Sequence, residues 1–189
     1  LKTVRRMFTG NIGRFAVITA IVLLGISFVT GLGAVAPNLE SSTEKYYREH
    51  DVQDIIVKST SMLGFSDADI NKISSLDSVA ETMRVATMDL ETGGMTARFY
   101  MMSLSNLNLN SIDLISGRMP EAADEIVAER GSYKIRDFEH GDTVDIDVYG
   151  YKQTLTVVGT VANPLTFSKE AEPSTKEGVD LEGIFYLDS

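Results

Sequence analysis

The 189 residues contain no cysteine. Disulfide staples, thiolate zinc sites and thiol nucleophiles are therefore excluded together. No G-x-x-x-x-G-K-[ST] occurs, so the chain has no P-loop to cradle nucleotide phosphates. Gly64-Phe65-Ser66-Asp67-Ala68 lacks the last glycine of G-x-S-x-G, and Ser66 reads as a helix cap instead. Asp67-Ala68-Asp69-Ile70-Asn71 opens like a calcium loop, but Lys72 stands where that loop needs glycine and Ser78 where it needs glutamate. His50 and His140 have no neighbouring ligand pattern and read as surface residues. Asp142, Asp145 and Asp147 cannot all face one way on a strand, which argues against a metal cluster there.

Charge of either sign is missing from Phe15 to Ala36, which reads FAVITAIVLLGISFVTGLGAVA. At about 1.5 Å per residue this run of about 22 residues spans roughly 33 Å, enough to cross a bilayer core of about 30 Å. Lys2, Arg5, Arg6 and Arg14 precede it with no acid among them, and Glu40, Glu44, Glu49 and Asp51 follow. The positive-inside rule places the N-terminus in the cytoplasm and the rest outside. A cleaved secretory signal is the competing reading, with Ala34-Val35-Ala36 as its A-x-A site. The run is longer than a signal h-region of about 7–15 residues, and Pro37 would directly follow the cut. The expected organisation is a cytoplasmic interfacial segment over 1–14, a transmembrane helix over 15–36, a stalk helix over 37–50 that Pro37 bends, and an extracytoplasmic domain over 51–189.

Within the span, Ala16, Ala20, Ser27, Gly31 and Ala34 fall within about 60° of one helix face. Small residues let a second helix approach closely, so this face is the candidate packing surface of a helix bundle. Gly25 and Gly33 lie off it.

Beyond residue 36 the chain holds 13 Lys and Arg against 27 Asp and Glu, a net charge of −14. Nucleic acid requires a basic footprint and is excluded as a partner. A domain lying flat on anionic lipid is disfavoured for the same reason, and the acidity serves solubility. About 140 residues suffice for one core. The start at Leu1 and the end just after GIFYL are those of a piece of a longer protein, with the domain incomplete at its C-terminus.

The pattern predicts an α+β fold: a transmembrane helix and stalk, then a mixed, mainly antiparallel domain. Asp54 to Ser59 reads as a strand, followed by a capping box at Ser66–Asp69 and a helix of about ten residues with Ile70, Ile73 and Leu76 as its apolar stripe. Val79 to Leu90 reads as strand, Glu91-Thr92-Gly93-Gly94 as turn and Met95 to Leu104 as the returning strand, giving β-α-β-β. Asp124 to Ala128 is a short strand. Val144, Ile146 and Val148 alternate with Asp145 and Asp147, a half-buried strand that turns at Tyr149–Lys152 and pairs back through Thr154 to Val161. Asn163 to Gly178 reads as a loop or mobile flap, and Ile184 to Leu187 as a last strand.

Gly117-Arg118-Met119-Pro120 has the chemistry of a structural turn. Gly117 suits a positive φ, Pro120 fixes φ, and Arg118 is placed to bridge to Asp124 or Glu125. Three segments together carry a family likeness: NIGRFAVITAIVLLGISFVTGL with Pro37 and Tyr46-Tyr47; Asp54-Ile55-Ile56-Val57 through Gly64-Phe65-Ser66 to Val79; and Gly117-Arg118-Met119-Pro120 with Asp124-Glu125-Ile126-Val127, Gly141-Asp142 and Val157-Val158-Gly159. In that order and spacing the chain resembles the start of an FtsX-like ABC transporter permease, its first membrane helix plus a MacB-type extracytoplasmic core domain. The likeness covers nearly the whole chain and is greatest to the long permeases common in Gram-positive bacteria.

The resemblance implies a non-enzymatic subunit without cofactor, three further membrane helices, a second permease subunit in a homo- or heterodimer, and a separate cytoplasmic ABC ATPase whose hydrolysis moves the outer domain. A membrane-anchored sensor or binding module shares this opening topology and is the alternative. A secreted hydrolase lacks a nucleophile–base set.

Overall fold

The computed structural model describes residues 10–61, 64–132, 135–167, 174–175 and 178–188. The chain divides into two units, residues 1–46 and 47–189. Helix α1 (Ile12–Glu49) supplies nearly all of the described part of the first unit, and its last turn enters the second; residues 1–9 of the segment read as interfacial lie outside the described residues. Its 38 residues make it about 57 Å long. None of them is buried, and the helix is apolar enough over one stretch to cross a membrane, by length and composition. Pro37 lies inside α1, which is helical on both sides of it.

Among the described residues the second unit holds one short α-helix, α2 (Asp67–Ser74), and seven strands: β1 (Ala86–Thr92), β2 (Met95–Met102), β3 (Asp113–Gly117), β4 (Glu125–Glu129), β5 (Thr143–Val148), β6 (Tyr151–Ala162) and β7 (Gly183–Asp188). They form one mixed sheet in the order β1-β2-β7-β4-β6-β3, with β5 also paired to β6. Four of the six pairings are antiparallel; β2–β7 and β4–β6 are parallel. The fold is thus a long apolar helix followed by a mixed α+β sheet domain, as the sequence predicts. Strand β6 is twelve residues long because it serves three partners. Its first half pairs with β5, and its second half lies between β3 and β4.

The sheet curls enough for β1 to meet β5, where Thr92 Oγ1 of β1 donates to the Asp145 carbonyl of β5 at 2.5 Å. Alternating side chains feed a core on each face. Met95, Ala97, Phe99, Ile126, Ala128, Val144, Leu155, Val157 and Phe185 gather inside the curl. On the other face Met102, Leu104, Val127, Ile135, Val158, Val161, Leu181, Ile184 and Tyr186 form the second core. One extra residue in β6 makes this possible. Ile126 pairs with Val157 but Val127 pairs with Gly159, so Val158 is a bulge. An inserted residue reverses which face the strand presents downstream: Leu155 and Val157 serve the first core and Val161 the second.

Several expectations need correction. Asp54–Ser59 is not a strand, so the β-α-β-β order begins at α2. Its β-forming side chains meet no partner edge: Ile55, Ile56 and Val57 are 79%, 57% and 58% exposed. The strand read over Val79–Leu90 starts only at Ala86 and runs to Thr92, because the turn is confined to Gly93 (φ 56) and Gly94 (φ 78), with Thr92 facing Met95. Asp113–Gly117 forms an edge strand that the apolar spacing of Ile112, Leu114 and Ile115 did not declare, since Ile115 is the extra residue of a second bulge. Helix α2 has eight residues rather than ten, and Leu76 lies beyond its end and is 55% exposed. The capping box is present as read: Ser66 Oγ accepts from the Asp69 amide, and the Asp69 carboxylate accepts from the Ser66 amide.

Candidate functional site

Gly117, Arg118, Pro120 and Glu125 come together in the connection between β3 and β4. Gly117 pairs with Gly159 beside the β6 bulge. It has φ +76, and an added Cβ would lie 2.7 Å from the Gly159 Cα and closer still to the Val158 carbonyl oxygen. Gly159 faces the same constraint, since a Cβ there would meet the Ser116 carbonyl oxygen at 2.9 Å and press on that of Arg118. Two strands approach so closely that neither position has room for a side chain. Immediately after Gly117, the Arg118 amide donates to the Val158 carbonyl at 3.0 Å, which fixes the chain's exit.

The Arg118 guanidinium then reaches across the turn to Glu125. Nη1 donates to Oε2 at 2.6 Å and Nη2 to Oε1, a two-pronged pairing. Glu125 Oε2 also accepts from the Glu121 amide at 2.9 Å. These bonds, Arg118 first and the Glu121 amide next, lower the Glu125 pKa to about 2. The same carboxylate raises the Arg118 pKa above its ordinary value. Asp124, the other acid the sequence offered to Arg118, instead gives its carbonyl to the Thr156 amide at 2.8 Å. Pro120 is half-buried in the turn. A carboxylate held ionised and doubly engaged is unsuited to proton transfer near neutrality; chemically this arrangement fixes a backbone path.

Ala16, Ala20, Ser27, Gly31 and Ala34 are all exposed on α1, and a Cβ built on Gly31 meets nothing within 4 Å.

Two buried polar clusters escaped sequence reasoning. Asp89 on β1 and Arg98 on β2 face each other across the hairpin. Their side chains are 1% and 5% exposed, with Nε–Oδ1 at 2.7 Å and Nη2–Oδ2 at 3.0 Å. Burial opposes the charged form of Asp89, but bonds from Arg98 and from the Thr175 amide outweigh it and hold its pKa at about 2. Ser174 Oγ and Thr175 Oγ1 add bonds to Asp89 Oδ2, each at 3.0 Å. The segment read as a mobile flap over Asn163–Gly178 is therefore pinned at Ser174–Thr175 and opens with a 3-10 turn at Pro164–Phe167; residues 168–173 and 176–177 lie outside the described residues. Counting outward from the Gly93-Gly94 turn would have opposed Asp89 to Arg98 from sequence alone.

The second cluster centres on buried Glu129. Its carboxylate accepts from the Tyr186 hydroxyl at 2.8 Å and from the Asn163 amide at 3.2 Å. Burial, then the adjacent Glu129 charge, raises the Tyr186 pKa well above its ordinary value. No local signal links these three residues in sequence. His50 also departs from its surface reading: its side chain is 12% exposed, and Nε2 lies 2.9 Å from Asp113 Oδ2.

The described residues thus define an apolar helix long enough to span a bilayer and an α+β domain held by a glycine-constrained turn. No protein-family profile and no curated protein matches the chain. Among solved structures it is similar to the extracellular domain of the noncanonic ABC-type transporter YknZ from Gram-positive bacteria, at 16% identity and a TM-score of 0.35. The alignment covers 66% of this chain and 62% of that one, so the chain spans less than two thirds of that structure. A likeness of this size carries no argument about function.

Proposed function

We propose that this chain is the opening part of an ABC transporter permease subunit of the FtsX-like class, anchored by α1 with its sheet domain outside the cell membrane. The observation that carries the reading is α1 itself. It is a long apolar helix with no buried residue, preceded by basic residues and followed by an acidic domain. That arrangement fits a membrane span over residues 15–36 with a stalk over 37–50. The resemblance of the Gly117-Arg118-Met119-Pro120 and Asp124-Glu125-Ile126-Val127 segments to a MacB-type core domain supports the more specific class. In this reading the subunit is not an enzyme; a cytoplasmic ATPase hydrolyses ATP, and the Ala16–Ala34 stripe packs α1 in a bundle or against a second permease subunit.

The test is to isolate the native membrane protein under mild detergent and identify what accompanies it. The reading expects a stoichiometric subunit with a Walker A motif, and loss of the complex's ATP-dependent activity when the Walker lysine of that subunit is replaced. An assembled, active protein without an ATPase refutes it. One carrying a cytoplasmic signalling domain would make the sheet domain a sensor.

A further inference from the structure

Asp51 (φ 46) and Asn110 (φ 53) are two of three non-glycine residues at positive φ among the described residues, and they lie opposite each other. The Asn110 amide donates to the Asp51 carbonyl at 3.0 Å, and the Ser111 amide to the His50 carbonyl at 2.9 Å. The Asn110 side chain completes the join: Oδ1 accepts from the Gln53 amide at 3.0 Å, and Nδ2 donates to Gln53 Oε1 at 2.7 Å. His50 Nε2 adds its contact to Asp113 Oδ2. Asn110 is 3% exposed, so its amide is a buried polar group that these bonds satisfy.

The two sides of this clasp are anchored unequally. On the 110–113 side, Ile112 packs against the second core and Asp113 begins β3. On the other side, none of the described residues over 47–61 belongs to either core. Residues 50–53, which follow α1 directly, are joined to the 110–113 side by hydrogen bonds and belong to neither core. A segment held in this way can separate without exposing a hydrophobic core, the condition for local opening below the global unfolding free energy. Positive φ at Asp51 and Asn110 is a small strain that opening would relieve.

We propose that residues 50–53 and 110–113 form a latch: one cooperative unit that joins the segment after Glu49 to the β3 edge and opens as a whole while both cores stay closed. Opening frees residues 50–53 from the β3 edge. The proposal goes beyond the transport reading and does not depend on it.

Hydrogen exchange on the whole chain in detergent or nanodiscs tests it. In the unsubstituted chain, the amides of Gln53, Asn110 and Ser111 should share one opening equilibrium, well below that of Val127 and Phe185. In Asn110→Ala, which removes both side-chain bonds to Gln53, those amides should lose protection together by at least tenfold, with core amides unchanged. Exchange of the three amides only with the core, or at three unrelated rates, overturns the latch. So does an Asn110→Ala chain in which they keep their protection.

Discussion

Replacing Gly117 by alanine tests the reasoning about the β3–β6 approach, and Gly94 supplies its control. The two glycines have nearly the same backbone, φ +76 and φ +78. A Cβ at Gly94 meets nothing within 4 Å, whereas one at Gly117 is driven into the Val158 carbonyl and the Gly159 Cα. Both substitutions place an L side chain in the left-handed region, at about 1–2 kcal/mol. Only Gly117→Ala adds the steric term. Relief requires β3 to retreat from the bulge, a strain of about 1–3 kcal/mol. Retreat also weakens the Arg118 amide bond to Val158, at about 1 kcal/mol. Gly117→Ala should therefore exceed Gly94→Ala by about 2–4 kcal/mol. Urea titration of the purified chain in detergent, followed by tyrosine fluorescence, reads this as a lower midpoint at unchanged slope. Equal midpoints for the two variants would refute the claim that close approach, rather than φ alone, demands glycine at 117.

Gly159→Ala, crowded by the Ser116 and Arg118 carbonyls, should lower the midpoint in the same titration, and its effect should not add to that of Gly117→Ala because the two share one contact. Asp89→Asn leaves the Arg98 charge buried without its carboxylate and should cost about 3–5 kcal/mol. The pH dependence of that pair has a definite sign. The Asp89 pKa is depressed to about 2, so its stabilisation is fully present above its ordinary value of 3.8 and is lost as pH falls from there through 2; acid titration should show a steeper loss in that window for the unsubstituted chain than for Asp89→Asn. Tyr149 is a bulky residue at φ 54 on the tip of the β5–β6 hairpin, and Tyr149→Asn should raise stability by about 0.5–1 kcal/mol in the urea titration. Ser66→Ala removes the cap of α2 and should cost that helix about 1 kcal/mol, read as faster exchange of its first amides.

Elements governed by local chemistry were legible in the sequence. The Ser66–Asp69 box, the Gly93-Gly94 turn and the alternation of Val144, Ile146 and Val148 each depend on neighbours a few residues away, and each stands where its pattern placed it, the turn narrowed to its two glycines. Asp54–Ser59 failed because strand propensity needs an edge to pair with, and propensity alone does not create one. Strand β3 was hidden by its bulge, which breaks the period of two that declares a strand. In the candidate site, the Gly117-Arg118 turn could be read because glycine, arginine and an acid seven residues later carry their geometry with them. The close approach of Gly117 to Gly159 could not, because it depends on a bulge 41 residues farther along. The Glu129–Tyr186 bond joins strands 57 residues apart and has no local trace.

The absence of native cysteine makes the orientation of the sheet domain directly measurable. Tyr149→Cys, at a site 97% exposed on the sheet domain, and Asn11→Cys, at the start of α1, would each carry one thiol for a membrane-impermeant maleimide. In right-side-out membrane vesicles Tyr149→Cys should be labelled and Asn11→Cys should not, with the pattern reversed in inside-out vesicles. Labelling of Tyr149→Cys only from the cytoplasmic face, or recovery of the sheet domain in the soluble fraction, would contradict an anchored extracytoplasmic domain.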